Sequence, residues 1–176
     1  ERFLMVSTYA ASSYDRVIKD YKIPNDDPGV IVSIHSYFPW DFCLKENGRS
    51  DWGSDKDKRA LDNELNRMVL NFIRKGRAVV LGEFSATNRN NPEARLAHAK
   101  HDAEGCTKRA ICPVYWDNGD LKGSAIFNRE KVSWHFPEIA DAVVAAADLI
   151  DPALKPTAVK GKSGMFTLEH IFKDGA

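Results

Sequence analysis

The chain has 176 residues, 43% of them apolar, and its 25 Lys plus Arg are balanced by 25 Asp plus Glu. That length buries a sizeable core and favours one domain. The even charge removes the electrostatic footprint of a nucleic-acid or anionic-membrane binder, and no apolar run approaches the roughly 18 residues of a membrane span. Cys43, Cys106 and Cys112 form an odd set without Cys-x-x-Cys spacing, and they read as free thiols rather than a zinc site or disulfide framework. The chain opens Glu1-Arg2-Phe3, with neither an initiator Met nor a charged-then-apolar leader, so a processed or truncated chain is expected.

One unit recurs along the chain: a short β-rich apolar run, a polar loop, then a helical pattern. Residues 3–9 form the first run, residues 12–21 its helix, and Pro24-Asn25-Asp26-Asp27-Pro28-Gly29 breaks the chain. Residues 30–37 are the second strand, followed by a long loop and a helix over 57–75. There Leu61, Leu65, Met68, Val69 and Phe72 recur at spacings of three and four, with Gly76 as the stop. Residues 78–84 are the third strand. Asn91-Pro92-Glu93 opens the next helix with a cap residue, a first-turn proline and an acid at the positive dipole end. Residues 110–116 are the fourth strand, and Phe136-Pro137-Glu138 starts a final Ala/Val-rich helix to about residue 149. The tail, 151–176, has no periodic core pattern and reads as a linker, with 165–172 a short helix or strand within it.

Strands alternating with helices call for a parallel sheet with right-handed crossovers. The class is α/β, and four such units make half of a (βα)8 barrel, which typically takes about 250 residues. Four parallel strands alone leave two open edges and a half-covered inner face. Completion by a second copy, a missing N-terminal half or a rearranged packing is therefore expected, and an oligomer is favoured over a monomer.

Val79-Val80-Leu81-Gly82-Glu83-Phe84 drives a lone carboxylate through an apolar strand to its C-terminal end, where barrel folds place their chemistry. Burying such a charge costs several kcal/mol, of the order of 3 to 5, unless it is paired or used. The second strand ends His35-Ser36-Tyr37-Phe38-Pro39 and the fourth Tyr115-Trp116-Asp117-Asn118-Gly119, so all three ends open onto one rim. A carboxylate beside His and Tyr hydrogen-bonding partners and an exposed Trp suits glycoside chemistry: the carboxylate attacks, its partners orient it, and the indole stacks on a sugar ring. Taken singly, Glu83 reads equally as an ion-paired strand-end residue, His35 as a hydrogen-bonded inner-face residue, and Tyr37 and Trp116 as core aromatics. Together, at three successive strand ends, they favour a site.

The segments His35-Ser36-Tyr37-Phe38-Pro39-Trp40-Asp41-Phe42, Asp51-Trp52-Gly53, Val79 through Phe84 and Tyr115 through Gly119 closely resemble glycoside hydrolase family 5, in its cellulase-like endoglucanase branch, in the correct order over residues 2–149. The resemblance implies that Glu83 is the nucleophile at the end of the seventh barrel strand, that His35 and Tyr37 support it from the sixth, and that Trp116 lies under the sugar beside the cleavage point. Arg2-Phe3-Leu4-Met5-Val6 would be the fifth strand. Asn118 is a further substrate-binding candidate, and Trp52 either lines a distal subsite or anchors its loop. The family's acid/base sits in an Asn-Glu-Pro motif after the fourth strand, before the point where this chain starts; no Asn-Glu-Pro occurs here, and Asn91-Pro92-Glu93 has the wrong order and place. Asp41, Asp117 and Asp120 are the rim carboxylates able to approach Glu83, and none has the family's position.

The function implied is a retaining endo-β-1,4-glucanase fragment acting on a secreted enzyme's polymer substrate, without metal or other cofactor. The alternatives are an inert half-barrel serving as a carbohydrate-binding or assembly module, or a family member acting on xyloglucan or mannan. His98 and His101, three apart, come nearest to a ligand pair and read as a solvated helix face.

Overall fold

The computed structural model describes residues 3–23, 27 and 29–150; the expected linker-like tail lies outside them, as does most of the 24–29 break. Four strands, β1 (Leu4–Ser12), β2 (Val30–His35), β3 (Val79–Phe84) and β4 (Ile111–Tyr115), form one parallel sheet in the order β1-β2-β3-β4. Among the described residues five α-helices accompany them: α1 (Asp15–Asp20), α2 (Trp40–Cys43), α3 (Asp55–Asn71), α4 (Pro92–Thr107) and α5 (Pro137–Ala145). A two-stranded antiparallel ribbon, β5 (Phe127–Asn128) with β6 (Ser133–Trp134), interrupts the run from β4 to α5. The fold is a partial (βα)8 barrel, with helices on one face of the sheet.

The core lies between sheet and helices. Val32, Ile34, Val79, Leu81, Phe84 and Ile111 from the strands meet Leu65 and Met68 of α3, Ala99 and Ala103 of α4, and Ile139 of α5. Burying such side chains contributes about 1.5–3 kcal/mol each. A second, smaller cluster of Phe42, Cys43, Trp52, Leu61 and Ala86 sits under the loops at the sheet's C-terminal rim. The opposite, inner face and the β1 edge stay open: Leu4, Met5 and Val6 are exposed.

Helix α3 starts where the chemistry demands: Ser54 accepts from the Asp57 amide, and Asp57 reaches back to the Ser54 amide, a reciprocal cap. Asn91 does not cap α4 as its sequence position implies. Its side chain instead donates to Ser50 O at 2.8 Å and accepts from the Arg89 amide at 2.9 Å, tying two rim loops together.

The feature that positions the site is a slip in register. Ile34 pairs with Leu81 but His35 pairs with Glu83, and on the other side Leu81 pairs with Pro113 but Phe84 with Tyr115. Strand β3 thus carries one extra residue against both neighbours. Strict alternation from the buried Leu81 would send Glu83 into the helix-side core. The bulge inverts the phase, so that Phe84 is buried there and Glu83 turns to the rim beside His35.

Candidate active site

Glu83 stands at the C-terminal end of β3 with its side chain 23% exposed, reachable from solvent yet flanked by protein. Tyr37 Oη donates to Glu83 Oε2 at 2.5 Å, and His35 Nδ1 lies 3.2 Å from the same oxygen. Among the described residues no hydrogen bond reaches Oε1. Two residues apart on an extended segment, His35 and Tyr37 project the same way and converge on one oxygen. Burial, then the hydrogen bond to Glu83 and its negative charge, push the Tyr37 phenol above its ordinary value. It therefore stays a neutral donor over the working pH range.

The backbone fixes these side chains. The Ser36 amide donates to Glu83 O and the Trp116 amide to Phe84 O, each at 3.0 Å, extending the ladder past the regular strands. Gly82 leaves room for the imidazole: a Cβ there would meet Ser33 Oγ at 2.9 Å and the His35 ring at 3.2 Å.

Trp116 follows β4 and is 45% exposed, its indole available to a ligand. Asn118 is committed to its own loop: its Oδ1 accepts from the Asp120 and Ser124 amides at 3.0 Å each, and a Cβ at Gly123 would strike its amide nitrogen. Asp117 accepts from the Gly119, Ile126 and Phe127 amides and from Arg129 at 2.8 Å. Burial works to raise its carboxyl, but the Arg129 bond and these amides outweigh it and hold the pKa below the usual range. Asp41 is paired to Arg49 at 3.2 Å, and Asp120 accepts from the Lys122 amide at 2.9 Å. The three rim aspartates thus serve loop structure. Beneath this loop the buried Arg95 donates to the carbonyls of Ala86, Ser124 and Ala125, with Phe136 4.7 Å below its guanidinium.

Trp52 is 8% exposed, its ring packed at 6.4 Å from Phe42 and 5.1 Å from His98. His98 is not on a solvated face. It is buried, with Nε2 2.9 Å from Phe38 O and 3.5 Å from Cys43 Sγ, and desolvation lowers its pKa to about 4. Helical spacing misled here, because the loop carrying Trp52 folds back over that side of α4. His101 is half-buried beside Asp62. Sequence reasoning also missed the buried Asp102 on α4, whose carboxyl is pushed up to about 7 by desolvation.

The fold and rim define a class: a partial α/β barrel presenting a carboxylate at the end of one strand, with histidine and tyrosine on the next. The Cellulase (glycosyl hydrolase family 5) profile matches residues 1–122. The chain belongs to that family. It is 43% identical over 162 residues to Cellulase/esterase CelE of Acetivibrio thermocellus, covering 89% of this chain and 20% of that protein. It is 38% identical over 154 residues to Endoglucanase B of Clostridium cellulovorans, covering 83% of this chain and 35% of that one. Among solved structures, wild-type ZgEngAGH5_4 superposes with a TM-score of 0.78 at 51% identity, over 81% of this chain and 43% of that one. The broad-specificity endoglucanase from Clostridium longisporum gives 0.79 at 35% identity, over 85% and 45%. The chain therefore spans less than half the length of each of these relatives.

Proposed function

We propose that this chain is the nucleophile-bearing half of a retaining endo-β-1,4-glucanase. The observation that carries the reading is the convergence of Tyr37 and His35 on Glu83 Oε2. The Tyr37 hydroxyl donates to that oxygen and the His35 ring stands beside it, which orients the carboxylate and leaves Oε1 to attack the anomeric carbon. As the Oε1–carbon bond forms, the glycosidic bond breaks and its electron pair passes to the leaving oxygen, which must take a proton. A β-glucan substrate is supported by relatives solved with cellotriose and cellotetraose, one of them a lichenase.

Trp116 serves as the platform under the sugar that becomes attached to Glu83. Asn118 shapes the loop that holds Trp116, and Trp52 anchors the loop before α3. The rim aspartates are engaged elsewhere and the sequence has no Asn-Glu-Pro, so the acid/base comes from the barrel half that covers the open inner face. Residues 1–150 form this catalytic half and 151–176 a linker. A polymeric substrate places the enzyme outside the cell.

A trapping experiment tests the nucleophile without requiring an acid. A dinitrophenyl 2-deoxy-2-fluoro-β-cellobioside carries a leaving group that departs unprotonated and a fluorine that slows hydrolysis of the glycosyl-enzyme. Mass spectrometry should find the sugar on Glu83, and Glu83→Gln should take none. Labelling of another residue, or of none, overturns the assignment.

A further inference from the structure

We infer that Arg95, on helix α4, is a positioning residue for the proposed reaction: it sets the place of the Trp116 indole relative to Glu83 by clamping together the loops that leave β3 and β4. The residue is 1% exposed. Its Nε donates to Ala86 O at 3.0 Å, three residues beyond Glu83. Its Nη2 donates to Ser124 O at 3.2 Å, to Ala125 O at 3.4 Å, and at 3.4 Å to the hydroxyl of Tyr115, the residue before Trp116. Ser124 is stitched in turn to Asn118, two residues past Trp116: the Asn118 amide donates to Ser124 Oγ at 3.3 Å and the Ser124 amide to Asn118 Oδ1 at 3.0 Å. The Tyr115 hydroxyl also donates to Ser124 O at 3.4 Å. Residues 115–125 therefore close on themselves with Trp116 near their start, and Arg95 fastens that closed loop to the chain leaving Glu83.

The chemistry of the contacts separates this role from space-filling. A buried cation facing carbonyls, with no carboxylate paired to it among the described residues, is costly to desolvate, and an apolar side chain would fill the same volume without that cost. What arginine alone supplies is a rigid planar fork whose donors diverge, so that one head reaches two separate segments. The Phe136 ring, 4.7 Å from the guanidinium carbon, braces that head from the other side. At the exposed tips of the same loops Asn88 adds its amide to Gly123 O at 2.7 Å and its side chain to Leu121 O at 2.8 Å, so Arg95 governs the roots, where Glu83 and Trp116 emerge. A sugar stacked on Trp116 meets Glu83 only if the two keep their offset, and a misplacement of about 1 Å costs on the order of a hundredfold in rate. The inference rests on the proposed glucanase reading, and adds to it the side chain that holds platform and nucleophile in step.

A double-mutant cycle tests it, with labelling of Glu83 by the dinitrophenyl 2-deoxy-2-fluoro-β-cellobioside as the readout, in wild type, Arg95→Met, Trp116→Ala and the combined variant. Each single change should slow labelling about tenfold with the circular dichroism unchanged, and the combined variant should be no slower than Trp116→Ala, because without the indole nothing is left to position. Losses that multiply to about a hundredfold would show that Arg95 acts through general stability, and the inference fails. It fails equally if Arg95→Met labels at the wild-type rate. Should Arg95→Met not fold, Arg95→Lys takes its place: the charge stays but a single ammonium cannot span both loops, so the same slowing, absent in the Trp116→Ala background, is expected, and labelling at the wild-type rate overturns the clamp. If Trp116→Ala labels as fast as wild type, the inference falls while Glu83 stands as nucleophile. If the wild-type chain takes no label on Glu83, the glucanase reading falls and the inference with it.

Discussion

Tyr37 and Glu83 share a 2.5 Å hydrogen bond across two adjacent strand ends, and it falls on the oxygen that His35 also approaches. Doubling the partners on Oε2 differentiates the two oxygens of one carboxylate. Tyr37→Phe keeps the ring and removes the donor. Because a hydrogen bond to a charged group contributes about 1.5–3 kcal/mol, labelling of Glu83 by the fluorosugar should slow about 10- to 100-fold with the fold intact by circular dichroism. An unchanged labelling rate would show that the hydroxyl does not orient the carboxylate.

Gly82 is the floor under the imidazole. Gly82→Ala puts a methyl 2.9 Å from Ser33 Oγ and 3.2 Å from the His35 ring, so the serine must shift and the ring must give by a few tenths of an ångström beside Glu83. Overpacking of this kind costs about 1–3 kcal/mol. Labelling should slow and the melting temperature fall, and adding Ser33→Ala, which clears the closer clash, should restore part of both. Failure of that second change to rescue either property would place the strain elsewhere.

Asp102 makes stability depend on pH. Its pKa is raised by desolvation from an ordinary 3.8 to about 7, so the folded chain keeps a proton that the unfolded chain sheds. The stability this group supplies is whole below about pH 4, drains as pH rises, and is gone above about pH 7. Asp102→Asn holds the neutral form permanently. Urea unfolding should find the variant more stable than wild type at pH 8, with the difference shrinking towards pH 4.

His98 acts in the opposite sense. Its pKa is lowered by desolvation from 6.5 to about 4, so its contribution is present above pH 6.5 and is lost as pH falls through 4. His98→Gln removes the titration while keeping a polar group near Phe38 O. The variant should be less stable than wild type at pH 7, through lost packing against Phe42 and Trp52, yet should lose less further stability between pH 6.5 and 4. Parallel losses in both proteins over that interval would remove His98 as the cause.

Much of this architecture was legible in the sequence. The four strands announce themselves as apolar runs, and prolines at Pro92 and Pro137 mark two helix starts. Glu83 stood out because a charge at the end of an apolar strand needs a reason, and His35 and Tyr37 share a face through simple alternation. The bulge that re-aims Glu83 was not legible, since Gly82 signals permission rather than phase. Helix α2 and the β5–β6 ribbon, four and two residues per element, are too short to show a period. His98 was misjudged because its burial depends on Trp52, 46 positions earlier, and no local pattern reports a loop folding back.

The open flank at Leu4, Met5 and Val6 bears on where catalytic precision resides. A retaining pair of carboxyls must stand about 5 to 5.5 Å apart. In an enzyme assembled from this half and another, that spacing belongs to neither piece; it is set by the seam. Packing at the β1 and β4 edges then governs turnover as directly as any rim side chain, and a methyl group added or removed along that joint can tune a reaction centre it never touches.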